Sequence, residues 1–232
     1  MRLKTSTNFR RVGTLRPVLF RSDHLGALDA DDARQVQALR LTRVLDFRGA
    51  QERASAVCAL PGVTVHSLPI EPTIVQKLGA LLAAGQTLTA ADVAQHMQDT
   101  YRGFVRHNTH RFAEFFGHLL ASDEPTVFHC TAGKDRTGFA AALLLRALGA
   151  DEAETMRDYL LTNDRLALPT VPRHDLPREA LEVLWRVQPQ FLAAAFDEVD
   201  AVYGSLESYL ADGLRLGHAE RQRLRELYLE RS

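Results

Sequence analysis

An α/β fold, with a largely parallel central sheet flanked by helices, is the class this sequence predicts, and three observations carry it. Four short apolar runs, rich in β-branched or aromatic residues, each end in polar or charged residues. Helix-patterned stretches separate most of them, which is how parallel strands are usually joined. From Pro177 onward the pattern is helical throughout, which predicts a helical C-terminal half. At 232 residues the chain is expected to form a single domain, 1–232.

The elements follow in order. "VLFRSD" (Val18 to Asp23) is the first strand. Leu28, Val36 and Leu39 then recur at helical spacing behind Asp29, a candidate N-cap. "TRVLDFRG" (Thr42 to Gly49) and the alternating "GVTVHSLPI" (Gly62 to Ile70) are the second and third strands. A long helical section comes next. Ile74, Leu78, Leu81 and Leu82 share one face up to Gly85, and "TAAD" (Thr89 to Asp92) is a capping-box-like start for a helix through Met97, Tyr101 and Phe104. A further helix is expected over Phe112, Phe115, Phe116 and Leu119. "PTVFHC" (Pro125 to Cys130) is the fourth strand, and a helix from Gly138 to Leu148 ends at Gly149. The C-terminal half, 177–232, reads as helices broken at Pro189, Gly204 and Gly213.

Composition narrows the function. A formal net charge of -1 gives no general attraction to nucleic acid or to an anionic membrane. No apolar run approaches the roughly 18 residues of a membrane span, and the N-terminus lacks the apolar core of a signal peptide. The two cysteines, Cys58 and Cys130, form neither a disulfide framework nor a metal-binding spacing. A reduced, cytoplasmic protein is expected, with export by a signal-independent route left open. Lysine occurs only at positions 4, 77 and 134, so 25 of the 28 cationic residues are arginine, a bias that reads as compositional.

The chemistry concentrates in "VFHCTAGKDRTGF". In parallel α/β sheets ligands bind beyond the carboxyl ends of strands, where Cys130 sits. The loop Thr131–Arg136 leads into a helix whose first N–H groups have no partner inside the helix. A loop curled over that end is an anion cradle, formed by the backbone of Thr131, Ala132, Gly133, Lys134 and the residues after them. Gly133 lets the backbone turn, and Arg136 offers a two-pronged donor suited to phosphate. The same positive surroundings favour the thiolate of Cys130, so one construction would hold a phosphate dianion and activate a nucleophile beneath it. A nucleotide-binding Walker loop is excluded, because Asp135 follows Lys134 where serine or threonine is required.

His129-Cys130-x5-Arg136-Thr137 resembles the signature of the cysteine-based protein tyrosine phosphatase superfamily, and "GKDR" resembles the loop of one bacterial branch. "NFRRVG", "LFRSDHLGAL", "VLDFRGAQE", "DYLLTND" and "YGSLESYL" resemble further landmarks of that branch, so the resemblance spans roughly residues 8 to 230. Arg11 stands where the branch usually has aspartate, and Gly49 where it usually has serine. The resemblance implies a tyrosine-phosphatase-like fold and a phosphomonoesterase that works through a phosphocysteine without cofactor or metal. Its implied roles are Cys130 as nucleophile, Arg136 as phosphate binder, and Thr137 as hydroxyl donor to the sulfur or as helix N-cap. His129 would orient the loop.

The branch implies Asp135 as general acid, with Asp99 as alternative; the Trp-Pro-Asp loop used elsewhere in the superfamily is absent, since Arg186 follows the single tryptophan, Trp185. Lys134 is either a second cation at the mouth, which in the superfamily accompanies highly anionic substrates, or a solvated surface lysine. Arg48 and Asp46 line the site or pair structurally with Glu52, and Asp23 has the same two readings. The section 72–106 is a helical lid or an ordinary packed hairpin. A protective Cys58–Cys130 disulfide has no support from spacing. The substrate is a phosphorylated protein carrying phosphotyrosine, with phosphoserine or phosphothreonine as further targets; the rival is a phosphoinositide, and a non-catalytic phosphate-binding module is the reading of another class.

Overall fold

The computed structural model describes residues 2–58, 60–71, 73–167 and 176–230. All four expected strands form: β2 (Leu19–Ser22), β3 (Arg43–Asp46), β4 (Thr64–Ser67) and β5 (Thr126–His129). They pair in parallel in the order β2-β5-β3-β4. A fifth strand, β1 (Arg10–Arg11), adds antiparallel to the β2 edge. It has two residues and no apolar alternation, so the sequence did not announce it.

Neighbouring residues on each strand point to opposite faces. Leu19, Leu45 and Phe128 enter one core, and Phe20, Val44 and Val127 enter another. Both faces of β2, β3 and β5 are therefore buried, as parallel strands require, while the edge strand β4 is largely exposed. Cys130 belongs to the first core and Cys58 packs against the second. The two thiols lie on opposite sides of the sheet, which corrects the idea of a disulfide between them.

The helices are α1 (Ala30–Ala38), capped by Asp29 as expected, α2 (Ala50–Ser55) and α3 (Ile74–Ala83), then α4 (Ala90–Ala121) and α5 (Arg136–Leu148). After them come α6 (Glu152–Leu160), α7 (Thr162–Arg165), α8 (Arg178–Trp185) and α9 (Pro189–Tyr203). The last are α10 (Leu206–Ser208), which runs into a π-turn over Tyr209–Gly213, and α11 (His218–Tyr228). Among the described residues, no helix is long and apolar enough to cross a membrane.

Two expected helices, one through Phe104 and one through Leu119, are a single helix of 32 residues, α4. The polar segment between them contains no proline, and Thr109 Oγ1 donates back to the Val105 carbonyl at 2.7 Å, so its hydroxyl is satisfied within the helix. The apolar stripe from Val93 to Leu119 is fully buried and packs on α8 and α9. The section 72–106 holds α3 and the first half of α4, and Ile74 and Leu78 of α3 pack into the same core as α4. Helix α3 stands beside the end of β5, while α4 is the spine of the first core.

Candidate active site

Strand β5 delivers Cys130 to the carboxyl edge of the sheet, and helix α5 starts six residues later. The loop between them is fixed from behind through its carbonyl groups. His24 N–H donates to the Thr131 carbonyl at 3.0 Å. Asn8 Nδ2 donates to the Ala132 and Gly133 carbonyls at 3.1 and 2.9 Å, and an Arg21 guanidinium nitrogen reaches the Gly133 carbonyl at 2.9 Å. In a planar trans peptide the N–H points opposite to its carbonyl. Drawing the carbonyls backward therefore turns the following N–H groups forward. Among the described residues, the N–H groups of Thr131 to Asp135 have no protein acceptor, which leaves them free for an anion.

The back of the loop is itself anchored. Arg21 is fully buried and pairs with Asp158 at 2.7 Å. Arg10 donates to Asn8 and to the Asp158 carbonyl at 2.9 Å. Asn8, Arg21 and Asp158 lie in stretches that resemble the branch landmarks, but spacing alone gave them no role. Gly133 has φ +64°, and a Cβ there would meet the Ser22 carbonyl oxygen at 2.2 Å. Gly133→Ala should thus displace the loop, costing about 1–3 kcal/mol of strain and lowering kcat at least about 10-fold. Thermal unfolding and kinetics on para-nitrophenyl phosphate check both parts.

Arg136 opens α5 and is 8% exposed. Its two terminal nitrogens bind the two Glu52 oxygens at 2.8 Å each, and one also donates to the Phe47 carbonyl at 3.1 Å. Burial opposes the Arg136 charge, but the bonds to Glu52 and the anionic charges of Cys130 and Glu52 outweigh it and raise its pKa. Burial likewise works against the Glu52 carboxylate. Arg136, the Thr131 hydroxyl and the Gly49 N–H overcome this and bring its pKa down to about 2. Pairing of Arg48 with Glu52 was one of two readings; the Glu52 carboxylate instead holds Arg136. The sequence signals of Glu52 were its place at the end of the landmark "VLDFRGAQE" and the capping-box spacing from Gly49, and it does serve the start of α2 in the latter way.

His129 is fully buried, with Nδ1 3.1 Å from the Cys130 carbonyl. Desolvation, with Arg48 nearby, drops its pKa to about 4 despite the opposing charge of Asp46, so the ring is neutral near neutral pH. Thr137 is buried, and its Oγ1 has no partner among the described residues. It does not cap α5, because the N-cap is Asp135.

Four predicted residues are corrected. Asp46 and Arg48 form a buried ion pair at 2.8 Å, and Arg48 also binds the Ala56 carbonyl, so neither lines the cavity at Cys130. Asp23 is turned to the N-terminal segment, where it accepts from Ser6 Oγ at 2.5 Å and from the Asn8 N–H at 3.3 Å. Desolvation raises its pKa against these bonds. Asp99 is half exposed and pairs with Arg102 at 2.8 Å. It lies two residues before the inward-facing Tyr101, about 200° round the helix, and so points away from the site.

Asp135 and Lys134 do line the cavity. Lys134 is only 3% exposed, and its Nζ lies 2.7 Å from Asp135 Oδ1, so it is neither a solvated lysine nor an unpaired cation at the mouth. Tyr101 donates to the same Oδ1 at 2.9 Å and is linked to Tyr159 at 2.7 Å. Both contacts fall on Oδ1, and Oδ2 takes no bond among the described residues. The cavity measures about 430 Å³. Cys130, Thr131, Ala132 and Arg136 form its base, and Ile74, Val75, Leu184 and Trp185 give it apolar walls. Trp185, which marks no Trp-Pro-Asp loop, reaches the site from α8 instead; no sequence pattern indicated this.

The description "tyrosine phosphatase family" belongs to a family model that matches residues 1–230. The triple specificity protein phosphatase PtpB of Mycobacterium tuberculosis is 32% identical over 250 residues, covering 88% of this chain and 90% of that one. A provisionally named tyrosine-protein phosphatase of Cupriavidus necator is 32% identical over 210 residues, covering 87% of this chain and 76% of its own. The solved structure of P. aeruginosa TpbA with phosphotyrosine is 19% identical, with a TM-score of 0.45, and covers 84% of this chain and 94% of that one. With the match running nearly end to end, the chain belongs to the tyrosine phosphatase family.

Proposed function

We propose that the chain hydrolyses phosphate monoesters through a phosphocysteine, with phosphotyrosine in proteins as its first substrate. The Cys130 thiolate attacks phosphorus in line while the phosphorus–oxygen bond to the leaving group breaks. Arg136 and the forward-facing N–H groups take the charge of the three remaining oxygens. Asp135 donates a proton to the departing oxygen through the unbonded Oδ2, and Tyr101 and Lys134 hold the carboxyl in place. In the second step a water attacks the phosphocysteine, Asp135 takes its proton, and Cys130 leaves as thiolate with inorganic phosphate as product. Thr137 Oγ1 is available to donate to that sulfur.

The shape of the cavity is the observation that carries the choice of substrate. Ile74, Val75, Leu184 and Trp185 suit the ring of a phosphotyrosine. Among the described residues, the lining cations are Lys134 and Arg136, and each is already paired with an acid, Asp135 and Glu52. Little positive charge is left for the extra phosphates of an inositol ring. The name of the relative PtpB supports a range wider than phosphotyrosine, with phosphoserine and phosphothreonine as further targets. Comparing kcat/KM on a phosphotyrosyl peptide with that on soluble short-chain phosphoinositides tests the proposal. A higher value for the peptide is expected, and a large excess on the phosphoinositide would reverse the choice.

Asp135→Asn separates the general acid from the rest of the site. On phenyl phosphate, a poor leaving group, kcat should fall roughly 100-fold, with little change on para-nitrophenyl phosphate. Equal losses on both substrates would remove Asp135 from that role.

A further inference from the structure

We infer that the chain carries a second site for a phosphate-type anion, in the cavity beside β1 lined by Arg10, Arg11 and Arg165. The cavity measures about 480 Å³ and shares no lining residue with the one at Cys130. Its apolar floor includes Phe9 and Phe20, whose rings stack at 5.5 Å. Among the described residues, three arginines face it with one acid, Asp158. That acid is already engaged by the fully buried Arg21 at 2.7 Å. Among the described residues, Arg11 and Arg165 make no ion pair or side-chain hydrogen bond. The cationic charge here is therefore in excess.

Arg10 supplies an independent sign of a missing anion. It is 6% exposed, and its Nε is buried without a hydrogen-bond partner. The nearest carboxylate oxygen, Asp158 Oδ1, is 3.7 Å away and out of hydrogen-bonding reach. A buried guanidinium donor left unmade costs free energy that a bound anion would recover. The strain also shows in its titration: burial and the neighbouring Arg21 and Arg165 charges bring the Arg10 pKa down to about 9 against the pull of Asp158. A phosphate dianion matches the forked donors of these arginines, and the apolar floor leaves room for the organic part of a phosphate monoester.

The site would act on the phosphate loop. Arg10 holds Asn8, and Asn8 holds the Ala132 and Gly133 carbonyls. An anion that fixes Arg10 would therefore stiffen the frame behind the catalytic cradle.

Equilibrium dialysis with radiolabelled inorganic phosphate tests this. The intact chain should bind two phosphates. Arg11→Gln combined with Arg165→Gln should bind one, and either substitution alone should weaken the second site about 10-fold. Arg136→Met should retain the second site while losing the one at Cys130. One phosphate on the intact chain, lost in Arg136→Met, would overturn the inference. So would two phosphates on the Arg11→Gln/Arg165→Gln chain. The count does not depend on turnover, so it stands or fails separately from the proposed reaction.

Discussion

Replacing Cys130 with serine is expected to lower kcat on para-nitrophenyl phosphate by at least about 10,000-fold while leaving the fold and the phosphate cradle intact. Cys130 is 3% exposed and sits at the base of the cavity, at the end of β5. A serine is slightly smaller and makes no clash there. What it lacks is an anionic nucleophile: its hydroxyl is weak without an adjacent base, and in the proposed first step Asp135 serves as the acid and is not available as a base. His129, the nearest imidazole in sequence, turns Nδ1 to the Cys130 carbonyl and is buried beneath the loop. Phosphate affinity should survive, because the N–H groups and Arg136 are untouched. Kinetics and phosphate binding measured on the same preparation check both halves. Turnover that persists in Cys130→Ser would remove the phosphocysteine mechanism, and loss of wild-type turnover in chelator would bring in a metal.

Arg136→Lys should cost roughly 100- to 1,000-fold in kcat, comparable with removal of a donor from an oxyanion hole. The guanidinium is held in one plane by both Glu52 oxygens and by the Phe47 carbonyl. A lysine ammonium can meet one of these partners but cannot keep that plane, so it cannot present paired donors to the equatorial oxygens of phosphorus. Glu52 keeps the Thr131 hydroxyl and the Gly49 N–H as donors, so the lysine variant should also seat its ammonium on that carboxylate and away from the phosphate. The expected signature is a loss in kcat larger than any rise in KM, since the geometry matters most when charge spreads in the transition state. Retention of wild-type kcat with a raised KM would assign Arg136 to substrate binding alone.

Much of the frame was legible in the chain because it rests on local signals. Paired apolar residues such as Leu19-Phe20 and Val127-Phe128 marked strands buried on both faces. Asp29 and Thr89 marked helix starts. The break expected between Phe104 and Phe112 was wrong because a polar stretch on a helix surface resembles a linker; burial of both flanking faces by α8 and α9 keeps α4 continuous. A compositional arginine bias does not say which arginines the fold uses. Arg10, Arg21, Arg43, Arg48 and Arg136 are all buried and each makes several hydrogen bonds, which only the packed chain shows.

The sequence by itself determined the chemistry that lies within one turn of chain. Cys130, the glycine-bearing loop and Arg136 are contiguous, and a strand end followed by a helix start leaves few ways to arrange them. Only the tertiary structure decided the partners. Glu52 reaches Arg136 from 84 residues away, Tyr101 reaches Asp135 across 34, and Asn8 reaches the loop carbonyls across more than 120. Such pairings depend on which faces of the sheet and helices meet. Periodicity encodes that a face is buried, but not what it is buried against. For the same reason Asp99 and Asp135 were rivals on paper, and the rotation of α4 about its axis separated them.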